Sequence, residues 1–442
     1  MQLANTTMTS KYKIICFLLA ALPLFCFAQE NSPYSRYGTG DAVTQGNIAN
    51  RGMGGISASL EDFASINSVN PASTGGLLYT TLDIGVEYNG RNLKSKNPLG
   101  SYLSNNGVIS YIQLGIPLLN GNKKAFQNKT SWALTFGLKP ISKINYKIQT
   151  NSRNSIDSTV SLYEGDGGVN EAYIGTSIKI KNFSFGFNTG YLFGEKDYST
   201  RVGFSNDSVI YQKANYETKT RFGGMFLNAG IQYAVKVKGG FFRMGVYGTL
   251  QKQFSATKDD IIETYTFTSA GAPTTLDSVK KTLDLKGKIQ MPATFGGGIS
   301  LEKDHVLVGL DFETTQWDNY RFYGQKDLVK NSWIAKAGIQ YYPASVGSTG
   351  YFNYVKYRAG FSMGSDNINV NSSLPTYNIT LGGSFPLKLR RSYYDYQIST
   401  MNIAFEFGKR GDKNNNLTEN IYKISIGFSL SDMNWFQRQK YQ

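Results

Sequence analysis

The sequence predicts an all-β chain: a roughly 14-stranded antiparallel transmembrane β-barrel with an N-terminal hatch inside the lumen. Three observations predict it. An export signal opens the chain, apolar and polar residues alternate with period two from about residue 78 onward, and no later segment is apolar enough for a membrane helix.

The signal comes first. Lys11 and Lys13 precede an apolar run over residues 14–25, too short for the roughly 20 residues a spanning helix needs. Ala28 stands before Gln29, with the small Cys26 two positions earlier, as a signal peptidase requires. Residues 1–28 therefore read as a cleaved signal peptide, and a start at Met8 would leave it intact. Its removal takes away both Cys16 and Cys26, so the mature chain has neither disulfides nor a cysteine metal site.

Composition narrows the class. A mean hydropathy of −0.31 excludes a helical membrane protein. The 30 Tyr, 27 Phe and 47 Gly, with only 11 Pro, suit many strands with aromatic belts and tight turns. Net charge is +15 and stays strongly basic without the signal lysines. The cations are dispersed through strands and loops, which points to anionic membrane lipid and not to nucleic acid.

The first strand sets the pattern. Leu78, Thr80, Leu82, Ile84, Val86 and Tyr88 share one face, while Asp83 and Glu87 occupy the other. Carboxylates cannot face lipid cheaply, so the second face points into a wet lumen. The same split recurs where Met401, Ile403, Phe405 and Phe407 oppose Asn402 and Glu406, and where Tyr422, Ile424, Ile426, Phe428 and Leu430 oppose Lys423 and Ser425. Between these lie candidates near residues 106–117, 130–148, 168–180, 183–200, 218–238, 241–264, 279–302, 306–322, 332–343, 354–365 and 376–387. The total is fourteen, an even count that returns both chain ends to one side. Short connections at Lys181-Asn182, Gly239-Gly240 and Lys303-Asp304-His305 suit the periplasmic side. Polar stretches 91–105, 151–167, 265–277 and 411–419 read as extracellular loops, with the glycines of 165–168 as a turn. A soluble β-sandwich would show fewer strands over one dry core. Trp132, Trp333, Tyr341 and Phe428 should face lipid. The barrel occupies residues 77–431, and 432–442 form a periplasmic tail.

Residues 29–76 do not alternate. Glycine-rich and amphipathic, they are too long for a leader, and a barrel this wide needs something to occupy its lumen. They contain Arg51, Gly52, Met53, Gly54 and Gly55, then Phe63 after an acidic pair, then Asn70, Pro71 and Ala72. With the later stretches MPAT, FGGGIS and LDFETTQW, and SWIAKAGIQYYP before VKYRAGFS, this order resembles the FadL-type (FadL/TodX-like) outer-membrane hydrophobic-compound transporters. The resemblance implies a Gram-negative outer-membrane location, a hatch formed by these residues, and a hydrophobic or amphipathic, fatty-acid-like ligand. It also implies a lateral window at a kink in the third strand, where Gly137 and Pro140 stand. Proline cannot donate to the ladder, so a bulge or gap is expected there in any case. The family includes accessory barrels of type IX protein secretion, so the alternative is a scaffold or shuttle with secretion-system partners; the tail with Trp435 and Phe436 departs from the transporter pattern.

Catalytic chemistry is not expected. His305 is the single histidine and lies in a turn, without a partner base. Asp83, Glu87, Asp311 and Glu406 should instead pair with inward Lys336, Arg358 and Lys423. Neither cofactor nor metal is called for.

Overall fold

Fourteen antiparallel strands close into one ring in the computed structural model, which describes residues 32–119, 130–153, 157–205, 211–268, 273–345, 348–370, 372–387, 397–433 and 435. The signal segment and most of the 432–442 tail lie outside those residues. The strands are β1 (Thr80–Lys96), β2 (Leu99–Pro117), β3 (Thr130–Arg153), β4 (Ser158–Ile180), β5 (Phe183–Phe204) and β6 (Lys213–Val237). Two interrupted strands follow: β7 (Gly240–Thr249 and Lys252–Phe267) and β8 (Pro273–Met291 and Thr294–Lys303). β9 (Val306–Thr315), β10 (Ser332–Tyr341), β11 (Lys356–Val370), β12 (Ser372–Pro386), β13 (Gln397–Arg410) and β14 (Leu417–Asp432) complete the set. β14 pairs with β1 from Leu417 against Ser95 to Asp432 against Thr80, and the ring closes.

Alternation sorts the faces as the sequence implies. Asp83, Glu87, Asp311 and Glu406 are buried inside, whereas Trp132, Trp333, Tyr341, Phe405 and Phe428 are exposed on the outer wall. Outward Leu381, Phe405 and Ile424 are direct neighbours across three strands, a patch of the apolar belt a bilayer demands.

Three expectations need correction. Three of the four polar stretches are mostly strand, not loop: β1 runs to Lys96 and β2 resumes at Leu99, β3 runs to Arg153, and β7 to Phe267, whereas residues 411–416 do connect β13 to β14. A hairpin standing clear of lipid is wet on both faces, so its ladder holds without the apolar alternation that reveals a strand. Gly167 and Gly168 sit inside β4, where φ values of +125° and +137° bend the strand instead of ending it. The candidate at 306–322, conversely, stops at Thr315: Gln316 N donates to Ala293 O at 2.9 Å, and the chain turns through Trp317–Asn319 to a two-residue strand, Arg321–Phe322, on β8.

Interruption of β8 falls at Pro292-Ala293, where proline has no N–H for the ladder. The lower halves of β7 and β8 pair with each other, as do the upper halves, so these two strands stay joined past the break.

Phe405→Arg places a charge in the outward apolar patch and should cost roughly 2–4 kcal/mol of folding stability in a bilayer. Urea titration in vesicles, with heat-modifiable migration as the readout of folding, should show the loss. Unchanged stability would mean that the two faces are inverted.

Candidate functional site

A ring of fourteen strands encloses more space than its own side chains fill. The residues before β1 bond to inward groups of strands all round the ring. Two asparagines shape that segment. Asn47 caps the helical turn Ile48–Arg51 by accepting from Asn50 N at 2.8 Å. Asn70 caps the 3-10 turn Pro71–Gly76 by accepting from Ala72 N at 3.1 Å, and its amide donates to Ala58 O at 2.6 Å.

Charge fixes the segment at four places. Arg51 reaches Glu87 of β1 at 2.6 Å, both side chains buried, and Lys423 of β14 stands 3.7 Å from the same carboxylate. Asp41 lies between Arg91 of β1 at 2.6 Å and Arg410 of β13 at 2.8 Å. Burial alone would raise the Asp41 carboxyl, yet the two guanidiniums hold it at about 2, so it stays charged. Asp311 of β9 accepts the amides of Ser57 and Ala58 at 2.6 and 2.7 Å. Glu61 and Asp62 diverge to Lys179 of β4 and Lys356 of β11. Removing one member of a buried pair such as Arg51–Glu87 costs on the order of 3–5 kcal/mol, because the other charge stays buried alone.

Between these anchors the segment lies over inward glycines, its main chain against Gly186, Gly245, Gly338, Gly360 and Gly382. Gly186 of β5 is opposite Gly230 of β6, Gly245 of β7 opposite Gly298 of β8, and Gly309 of β9 opposite Gly338 of β10, itself opposite Gly360 of β11. Gly427 of β14 faces Gly85 of β1. A Cβ on Gly338 or Gly360 would collide with the backbone of Met53 and Gly54, and one on Gly382 would stand 2.7 Å from Gly52 Cα. A side chain can rotate away from such a clash; a backbone cannot.

A cavity of about 490 Å³ remains beside the segment. Ile141, Leu192, Phe226, Phe254 and Met291, from β3 to β8, give it an apolar lining, with Val43 of the segment, around Lys139 of β3, Glu171 of β4 and Lys252 of β7. Glu313, Lys336, Glu406, Arg410 and Lys423, from β9 to β14, give it a charged one. The chamber is amphipathic.

Its apolar side meets a gap in the wall. β2 and β3 share a ladder only where residues 112–117 pair with 133–138. Beyond that, Pro140 lacks an N–H, and the β3–β4 register slips between Pro140 and Ser142. The N-terminal segment takes the edge of β3 instead: Asp41 and Ala42 pair with Lys143 and Ser142, Val43 N donates to Ile141 O at 3.0 Å, and Ser32 N to Asn145 O at 3.2 Å.

The residues singled out in the sequence divide accordingly. Arg51, Gly54 and Gly55 line the cavity; Gly137 is still paired with Gln113 near the end of the β2–β3 ladder, and Pro140 stands just past it at the gap. Gly52 rests on Gly382, while Met53 is buried against Ile56 and Leu307. Asn70 and Pro71 lie on Gly230 and Gly186, with Ala72 beside them, outside the cavity lining. Phe63 is exposed and also outside it, tilted against Tyr79 at 6.1 Å with Lys356 over its ring. Of the ion pairs expected among inward residues, Glu87 with Lys423 forms. Lys336 goes to Glu313 at 3.0 Å, Arg358 to Gln340 at 2.8 Å, and Asp83 accepts from Ser429 at 3.1 Å. Strand alternation could not show the amides that claim Asp311, because they belong to the segment before β1. Tyr111, whose hydroxyl accepts Ile48 N at 3.0 Å, and the belt glycines also escaped it. Inward glycines repeated on successive strands were the available signal.

From residue 8 to 442 the chain matches a family model described as BamG. No curated protein matches it. Among solved structures the fold is similar to the toluene transporter TodX of Pseudomonas putida, with 14% identity, a TM-score of 0.51, and 89% of this chain and 99% of that one covered. It is similar to the toluene transporter TbuX of Ralstonia pickettii (12% identity, TM-score 0.51, 88% and 99% covered). A FadL homologue of Pseudomonas aeruginosa is similar as well (12% identity, TM-score 0.54, 89% and 99% covered). At these identities the likeness is one of fold.

Valine at both Gly338 and Gly360 should lift the Met53–Gly54 backbone from its seat while the outer wall stays intact. The double variant should assemble as a heat-modifiable barrel yet expose residues 32–79 to added protease. Protection equal to that of the parent would show that the glycines do not seat the segment.

Proposed function

The chain belongs to the BamG family, and on that premise we propose that it is an outer-membrane uptake channel for hydrophobic or amphipathic small molecules, closed by its N-terminal segment as a hatch and open sideways at β3. In this reading the chain is exported behind a cleaved signal and sits in a Gram-negative outer membrane. The observation that carries the proposal is the short β2–β3 ladder, with Pro140 just past its end and the amphipathic cavity reaching Ile141 behind it. A ligand entering from outside places its polar end toward Lys336 and Lys423 and its apolar body against Leu192, Phe226 and Phe254. It then leaves between β2 and β3 into lipid, and never crosses the aqueous periplasmic end. The driving force is the apolar area removed from water, about 25 cal/mol per Å². Passage requires residues 41–43 to release the edge of β3, which makes the hatch and the window one gate. The hydrocarbon and toluene transport named for channels of the same fold supports the ligand class.

Pro140→Thr restores a ladder N–H, and Gly137→Val adds bulk where β3 leaves β2. Uptake of a fluorescent fatty acid, in a strain without other routes, should fall several-fold for Pro140→Thr and further for the double variant. Undiminished uptake through a correctly assembled double variant would sink the lateral exit.

A further inference from the structure

Opposite charges placed directly across two strands usually meet. Glu406 of β13 is opposite Lys423 of β14, and both line the cavity. Yet Lys423 turns its amine away, donating to Thr44 Oγ1 of the N-terminal segment at 2.7 Å and standing 3.7 Å from Glu87. On the other side of Glu406 is Thr380 of β12, whose hydroxyl accepts Gly54 N at 2.8 Å. Glu406 is left 7% exposed, on the cavity border, with its buried Oε1 lacking any hydrogen-bond partner.

Every other acid on that border holds a cation. Asp41 and Asp366 take Arg410, Glu313 takes Lys336, and Glu171 stands 3.6 Å from Lys139. A buried carboxylate without a donor is unfavourable, and a ligand that donates to it removes the penalty.

Charge selects the donor. The charged neighbours of Glu406 are Lys423, Glu87 and Arg51, and the four together sum to zero. A ligand carboxylate would bring the sum to −1 beside a bare acid, and it only accepts. An ammonium would bring it to +1 beside Lys423 and Arg51, and it only donates. A hydroxyl keeps the sum at zero and does both. Its proton goes to Glu406, and its oxygen accepts from Lys423, which has three N–H groups to share. Lys252 and Lys409 also border the cavity, exposed and without a carboxylate partner among the described residues, and are where a carboxylate ligand would go instead.

We propose that the cavity takes a neutral hydrophobe bearing a hydroxyl, an alcohol or phenol, with that hydroxyl between Glu406 and Lys423 and the body along Leu192, Phe226 and Phe254. The proposal rests on the uptake reading above and names the head group of its ligand. The test is equilibrium dialysis of radiolabelled decanol and decanoate against the mature protein, held in amphipol near neutral pH. Decanol should bind roughly tenfold more tightly than decanoate, about the worth of one hydrogen bond to a charged group. Glu406→Gln takes the local sum to +1 and should cancel or reverse that preference. Glu406→Asp, which keeps the charge but draws it back from the cavity, should shrink the preference and serves if the amide variant does not assemble; heat-modifiable migration reports assembly. Binding of neither ligand by the parent overturns the uptake reading, and the hydroxyl assignment with it. The hydroxyl assignment falls alone if the parent holds decanoate as tightly as decanol, or if an assembled Glu406 variant keeps the parent's preference unchanged.

Discussion

Two backbones can lie against each other only where neither carries a side chain in the way, and that close approach organises the interior of this barrel. Fourteen strands enclose a lumen their side chains do not fill, and the residues before β1 occupy it with the main chain pressed on inward glycines. Once Met53 and Gly54 lie on Gly338 and Gly360, water is excluded from both backbones, and every polar atom trapped there needs a partner. The buried carboxylates of Asp311 and Glu87, one accepting amides and the other a guanidinium, follow from that demand. So does the asparagine at Asn70, which satisfies one backbone amide and one carbonyl from a single side chain.

Much of the wall could be read from the chain, because a bilayer outside and a polar lumen inside force alternate residues into opposite chemistry. Ile84 against Asp83, or Phe405 against Glu406, declares its face without further context. The reading stopped where one of those solvents stopped. Above the apolar belt no residue of 94–103 is buried on either face, so β1 and β2 continue there with no alternation to mark them. Inside, the partner of an inward residue is often not another strand but the segment before β1, which alternation does not describe. Asp311 was expected to pair with an inward cation among Lys336, Arg358 and Lys423, and it instead accepts the amides of Ser57 and Ala58. The motif residues fared unevenly for a related reason. A glycine run or an Asn-Pro pair marks unusual backbone, and unusual backbone serves packing at Asn70 and Gly52 as well as the cavity at Gly54 and Gly55.

The gap beside β3 and the N-terminal segment are one arrangement. Pro140 ends the usefulness of that edge for β2, and Asp41, Ala42 and Val43 supply the missing strand. Asp41 is held in the same place by two arginines from β1 and β13, so the patch on the wall is tethered across the lumen. Val43 and Ile141, bonded to each other across this edge, both line the cavity.

The central claim is that residues 32–79 close an otherwise open barrel. Deletion of residues 31–73, followed by conductance in planar bilayers, tests it most directly. The account predicts a folded barrel with a large, steady conductance to small ions, where the parent is closed or flickers briefly. A deletion variant that assembles, migrates heat-modifiably and conducts no more than the parent would contradict it.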